Sequence, residues 1–202
     1  GYTLNAYLYG RNLLTNADHS VALLRADIYN YNTSQHELKV FGISNATSAP
    51  ELLAQNIYPY GTIYQMGNKW VLSNEGSTTF SGLLTDGTLA GSTVLANVPS
   101  GIVDAANQVI WGRVSTVPYG NELFRSVVSD TGITTTMVKD IWPGSSSGYQ
   151  GGGALLPNGK LIFSANDGVN GRELWSSDGT EAGTSLLADL YGGSDSAFGW
   201  SS

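Results

Sequence analysis

The stretch Asp178-Gly179-Thr180-Glu181-Ala182-Gly183-Thr184-Ser185-Leu186-Leu187-Ala188-Asp189-Leu190 decides the fold, because the chain carries it twice. The earlier copy is Asp86-Gly87-Thr88-Leu89-Ala90-Gly91-Ser92-Thr93-Val94-Leu95-Ala96-Asn97-Val98. The two align without a gap at a constant offset of 92 residues, and Asp, Gly, Thr, Ala, Gly, Leu and Ala recur in place. A gapless internal match of this kind is the mark of a repeat architecture.

Further copies lie outward from it. Glu122-Leu123-Phe124-Arg125-Ser126 matches Glu173-Leu174-Trp175-Ser176-Ser177, and Val138-Lys139-Asp140-Ile141-Trp142-Pro143-Gly144 matches Leu187-Ala188-Asp189-Leu190-Tyr191-Gly192-Gly193. Weaker copies are Ala54-Gln55-Asn56-Ile57-Tyr58-Pro59 and Arg25-Ala26-Asp27-Ile28-Tyr29-Asn30. Anchored on the Asp or Asn of each, one repeat domain over 1–202 divides into approximate units 1–30, 31–60, 61–100, 101–144 and 145–193, with a tail at 194–202.

Each full unit reads as strands. Lys69-Trp70-Val71-Leu72, Val109-Ile110-Trp111 and Leu161-Ile162-Phe163 are short apolar runs bounded by Gly, Asn and Asp, and Tyr7-Leu8-Tyr9-Gly10 reads as the same element in the first unit. Continuous apolar runs predict strands covered on both faces. Asp178-Gly179 is a strong hairpin signal, and no amphipathic helix is visible. The fold expected is all-β, a β-propeller-like array of about four to five repeats, with a β-solenoid as runner-up. Trp175, Phe124 and Leu84 are read as equivalent and buried. On this reading the chain starts at the second strand of a unit. The segment Ala197 to Ser202 is then an orphan first strand expected to pair near Leu4 to Tyr9, within one chain or between chains.

The run Gly171-Arg172-Glu173-Leu174-Trp175-Ser176-Ser177-Asp178-Gly179-Thr180, followed by Ala182-Gly183-Thr184, resembles the ELWxxDGT repeat family. The likeness is specific over 158–193, good over 107–147 and partial over 67–98, where Ser81 replaces the Glu; before residue 60 it is reduced to His36-Glu37-Leu38 and the Asp-Ile-Tyr type ends. The resemblance implies large, repetitive, secreted or surface proteins of bacteria with a propeller-like fold. It implies no catalytic residues.

Composition narrows the function classes. The 202 residues carry 16 acids and 9 bases, a net charge of −7, and no cysteine. Scattered bases on an acidic chain exclude a nucleic-acid surface, which needs clustered Lys and Arg, and disfavour contact with an anionic membrane. No apolar run is long enough to insert in a bilayer as a helix. The absence of cysteine removes disulfides, thiolate metal sites and cysteine nucleophiles. Few lysines with abundant Gly, Ser, Thr and Asn point to an extracellular or cell-surface location.

Chemistry is sparse. His19 and His36 are the only histidines, and neither stands in a metal-ligand or triad pattern, so both read as solvated loop residues. Asn166-Asp167-Gly168-Val169-Asn170-Gly171 could offer calcium several oxygens from one loop, though the same residues build turns without an ion. No other cofactor is expected. Asp86, Asp130 and Asp178 read as turn residues. A glycoside hydrolase would need a carboxyl pair across a cleft. Glu122 and Glu173 occupy equivalent repeat positions, Glu37 conforms to them, and Glu51, Glu75, Asp104 and Asp195 form no motif.

The aromatics remain. Tyr29, Tyr58, Trp142 and Tyr191 recur just after the Asp-Ile element, where flat rings on successive units could stack sugars. The competing reading packs them between units. The function expected is a non-enzymatic extracellular binding or adhesion module, with a glycan or surface protein as partner. The alternatives are a structural repeat of a surface filament or layer, self-assembled through terminal strands, and a hydrolase.

Overall fold

The computed structural model describes residues 6–30, 34–45, 47–55, 61–73, 82–114, 119–193 and 197. Among these the chain is all-β, with no helix, and its strands form four antiparallel sheets of four consecutive strands each. The first sheet holds β1 (Ala6–Thr15), β2 (Ala22–Asn30), β3 (Gln35–Ile43) and β4 (Glu51–Gln55). The second holds β5 (Ile63–Met66), β6 (Lys69–Ser73), β7 (Gly82–Thr85) and β8 (Thr93–Leu95). The third holds β9 (Ser100–Asp104), β10 (Val109–Arg113), β11 (Leu123–Val128) and β12 (Ile133–Lys139). The fourth holds β13 (Tyr149–Leu155), β14 (Leu161–Asn166), β15 (Arg172–Ser177) and β16 (Ser185–Ala188). The chain divides into two compact units, residues 1–96 and 97–202, with two sheets in each.

The apolar runs make these strands because both of their faces are covered. In the fourth sheet Leu161, Phe163, Ala165 and Trp175 share one face, here called leading. They form a single core with Val109, Trp111, Leu123 and Val138 from the trailing face of the third. The first strands of these two sheets, β9 and β13, lie side by side. Residues 1–96 repeat the arrangement. Trp70, Leu72 and Leu83 on the leading face of the second sheet pack on Leu23, Leu38, Val40 and Leu53 of the first. Each junction is also sealed by the Asp-Gly turn of its later sheet. Gly87 has φ 92°, and a Cβ there would lie 2.3 Å from Val21; Gly179 has φ 93°, and a Cβ there would lie 2.9 Å from the Trp111 ring. Both positions therefore require glycine, for backbone angle and for close approach.

Several expectations are corrected. β2 and β3 pair from Ala22↔Ile43 to Asn30↔Gln35, straight across the expected boundary at residue 30. Residues 6–55 thus form one sheet instead of units 1–30 and 31–60. The anchor at Asp27 misleads because it lies in mid-strand, between Tyr9 and Leu38. Tyr7 to Gly10 lie in a first strand, not a second, so the first sheet lacks nothing. Trp175, Phe124 and Leu84 are all buried, but the ladders shift the third by one position. Leu83 faces Leu72 as Trp175 faces Phe163, and Leu84 points to the opposite side. Of the pairing expected between Ala197 to Ser202 and Leu4 to Tyr9, residues 4–5 and 198–202 lie outside the described residues; Tyr7 to Tyr9 pair with β2, and the Ala197 N–H is taken by Arg172 and Glu173.

Candidate functional site

The repeated glutamate holds the connection that leaves its own sheet. Glu122 is fully buried just before β11, and its carboxylate accepts the N–H of Ile141 (2.7 Å) and of Gly148 (2.8 Å). Those two residues bracket the loop from β12 to β13. Glu173, equally buried at the start of β15, does the same for the loop leaving β16, accepting the N–H of Leu190 (2.7 Å) and of Ala197 (3.0 Å). Ala197 therefore stands where Gly148 stands, one residue before β13 begins. Burial pushes the Glu122 carboxyl above its ordinary value of 4.5, and Asp140 adds to the rise, against the backbone donors of Ile141, Gly148 and Trp142. A buried carboxylate bound in this way is a loop clamp.

The Asp-Gly-Thr turn is a second repeated device. Asp178 Oδ1 accepts the Thr180 N–H (2.9 Å) and hydroxyl (2.7 Å), Thr180 Oγ1 accepts the Gly183 N–H (2.9 Å), and the Ser177 and Thr184 hydroxyls meet at 2.7 Å. Asp86, Thr88, Gly91, Thr85 and Ser92 reproduce every one of these bonds. Chiefly the Thr180 bonds hold Asp178 below the ordinary carboxylate value. The turn reading of Asp86 and Asp178 is thus the observed one, and Asp130 sits exposed in the turn between β11 and β12.

The four aromatic candidates do not form one row. Trp142 and Tyr191 do share a place, just after the last strands of the third and fourth sheets. Trp142 is half-buried with its ring against Gly168, where a Cβ would lie 2.7 Å from the indole; Tyr191 is 62% exposed. Tyr29 is not equivalent to them. It lies within β2, edge-on to His36 with ring centroids 5.0 Å apart. Tyr58 falls outside the described residues. His36 also corrects the loop reading, since it sits in β3 with Nδ1 2.8 Å from the buried Asp27 carboxylate. His19 is in an exposed turn, 3.0 Å from Thr15 Oγ1.

The acids that break the repeat are hydrogen-bonded where they are described. Glu51 accepts the Leu89 N–H at 2.8 Å, and Asp104 accepts the Asn107 side chain at 2.8 Å. Glu75 and Asp195 lie outside the described residues. In the 166–171 loop, Asp167 accepts the N–H of Val169 and of Asn170 and the Asn170 amide. Burial raises its carboxyl, but these donors outweigh burial and hold it low. Both Asp167 carboxylate oxygens are thus turned onto the loop itself.

A cleft that the sequence did not reveal lies between the first two sheets. It encloses about 300 Å³ and is lined by Asn16, Ser20, Asn68, Lys69, Asp86 and Thr88, with Val21 as its apolar wall. Three turns build it: β1–β2, β5–β6 and β7–β8. Each wall is fixed. Asn16 is buried and donates to Ser20 Oγ at 2.9 Å, while its carbonyl accepts the Val21 N–H at 3.0 Å. Asn68 donates to Asp18 at 2.8 Å, and the Ser20 hydroxyl and N–H, with that amide, hold the Asp18 carboxyl low so that it stays an anion. The result is a small recess offering amide, ammonium, carboxylate and hydroxyl groups in set positions. No signal in the sequence joins these residues, because the turns are up to 70 positions apart and only Asp86 and Thr88 belong to the repeat. In comparisons with known proteins, no family model matches the chain and no curated protein matches it.

Proposed function

We propose that the chain is a propeller-type repeat module, non-catalytic and working outside the cytoplasm, that binds a polar, hydroxyl-rich ligand of the glycan class. The observation that carries this reading is the recess between the first two sheets, whose mixed donors and acceptors around one apolar wall suit a sugar ring with its hydroxyls. The radial arrangement is supported by the repeated packing of leading on trailing faces in both units and by the adjacency of β9 and β13. The absence of catalysis is supported by the use made of the repeated carboxylates. Glu122 and Glu173 are committed to backbone N–H groups, and Asp86 and Asp178 to their own turns. Exposed Tyr191 is a further stacking surface on which a second, independent sugar contact is expected.

A glycan array followed by calorimetry tests the reading. Retention of one glycan class, weakened at least tenfold by Lys69→Ala and by Asn68→Ala, supports it. Failure to retain any glycan overturns it, as does binding that neither substitution changes. Cleavage of a retained glycan would move the chain to the hydrolase class.

A further inference from the structure

The trailing face of the fourth sheet is built like a buried surface. Counted from the clamping glutamates, Leu174 and Ser176 stand where Leu123 and Arg125 stand in the third sheet. The ladders place Ile162 opposite Ser176 as they place Trp111 opposite Arg125. In the third sheet this face is sealed, with Leu123 at 0% and Trp111 at 3% exposure beneath Leu161, Phe163 and Trp175 of the fourth. In the fourth sheet Ile162 and Leu174 are only half-buried. With Ala154, Ser164, Arg172 and Gly151 to Gly153 they line a mainly apolar hollow of about 290 Å³, walled, among the described residues, by β13, β14 and β15.

The molecule itself indicates what fits there. Within each unit a trailing face is covered by the leading face of another four-stranded sheet, packed with large apolar side chains. The first sheet presents such a face. Leu24 and Phe41 pair across β2 and β3 on the side opposite Leu23 and Val40, next to the Ala22↔Ile43 pair and in line with Glu37. Leu24, Phe41 and Ile43 are half-buried, as Ile162 and Leu174 are.

We propose that the trailing face of the fourth sheet is an assembly surface that takes the leading face of the first sheet of a second copy of this chain. Such a contact is head-to-tail, so each copy offers one of each face and association continues until it closes into a ring or runs on as a filament. The hollow at Ile162 receives an apolar side chain of the incoming sheet, in the way that the third sheet receives Phe163.

Sedimentation of the full chain over a range of concentrations tests this, together with Leu174→Asp and Phe41→Asp, one on each face. The wild type is expected to exceed its 21.3 kDa monomer mass as concentration rises. Each variant alone is expected to stay monomeric. Mixed, they are expected to give a one-to-one dimer and nothing larger, because each keeps the face that the other has lost. Ile162→Ser replaces Leu174→Asp if circular dichroism shows the latter to be unfolded. A wild type that remains monomeric at every concentration overturns the proposal. So does a folded variant that still self-associates, or a mixture that does not dimerise. Glycan binding at the recess in residues 1–96 is read separately, so either result stands without the other.

Discussion

Glu173 and Glu37 open the third strand of the last and the first sheet, and they do different work. Glu173 is fully buried and clamps two backbone N–H groups of the loop that follows its sheet. Glu37 is half-buried and pairs with Lys39 at 2.9 Å within its own strand. Both lie near the start of their strand; what differs is the partner, backbone N–H groups for Glu173 and a lysine side chain for Glu37. Full burial and two N–H donors make Glu173 structural. A half-buried carboxylate facing a lysine is an ion pair of small worth. A repeat thus persists in sequence where its side chains serve a shared backbone geometry, and it thins out in the first sheet, where they do not.

The largest effect expected is at Trp175, whose ring fills the junction between third and fourth sheets. Trp175→Ala is expected to cost about 3 to 5 kcal/mol in denaturant unfolding, because the cavity left in a sealed interface does not collapse. A loss under about 0.5 kcal/mol would contradict the packing described. Next comes the glutamate comparison itself. Glu122→Ala leaves two buried N–H groups without an acceptor and is expected to cost about 3 kcal/mol. Glu37→Ala is expected to stay within about 0.5 kcal/mol. Equal losses at the two sites would break the distinction.

The turns sharpen it from the other side, since here the two units agree. A Cβ on Gly183 would lie 2.0 Å from Asp178 Oδ1, and one on Gly91 would lie 2.1 Å from Asp86. Either alanine must push its aspartate off the threonine that it holds. Gly91→Ala and Gly183→Ala are each expected to cost about 1 to 2 kcal/mol, the worth of one or two hydrogen bonds. Matched losses in thermal melts would show the network to be equivalent in both units, and a clear mismatch would show that it is not.

These same positions explain what the sequence made legible. The Asp-Gly-Thr turns, the short apolar strands and the glutamates of β11 and β15 depend on neighbours close in the chain, so their physics is written locally. The Asp27-Ile28-Tyr29 triplet carries the same letters but lies in mid-strand. Nothing local separates a strand that ends from one that continues; only pairing with β1 and β3 does. The recess was hidden for a related reason. Asn16, Lys69 and Asp86 become neighbours only when two sheets pack.

The smallest effect concerns pH and again separates the clamps from the turns. Burial raises the Glu122 carboxyl above 4.5, so the folded chain binds its proton more tightly than the unfolded chain does. Stability linked to this group is therefore fully present below the unfolded value. It falls as pH rises from about 4.5 through the folded value, and then levels off. Asp178 and Asp167 act in the opposite sense. Their carboxyls are held below 3.8, so the stability they add is present above that value and is lost as pH falls through their folded values. Melting temperature against pH should therefore decline on the alkaline side of 4.5 over a limited window, and Glu122→Gln should flatten that decline while leaving the acid-side loss in place. Asp178→Asn should instead reduce the acid-side loss and leave the decline above 4.5 unchanged. If Glu122→Gln leaves the decline intact, the proton is held elsewhere and Glu122 is a clamp that stays charged throughout.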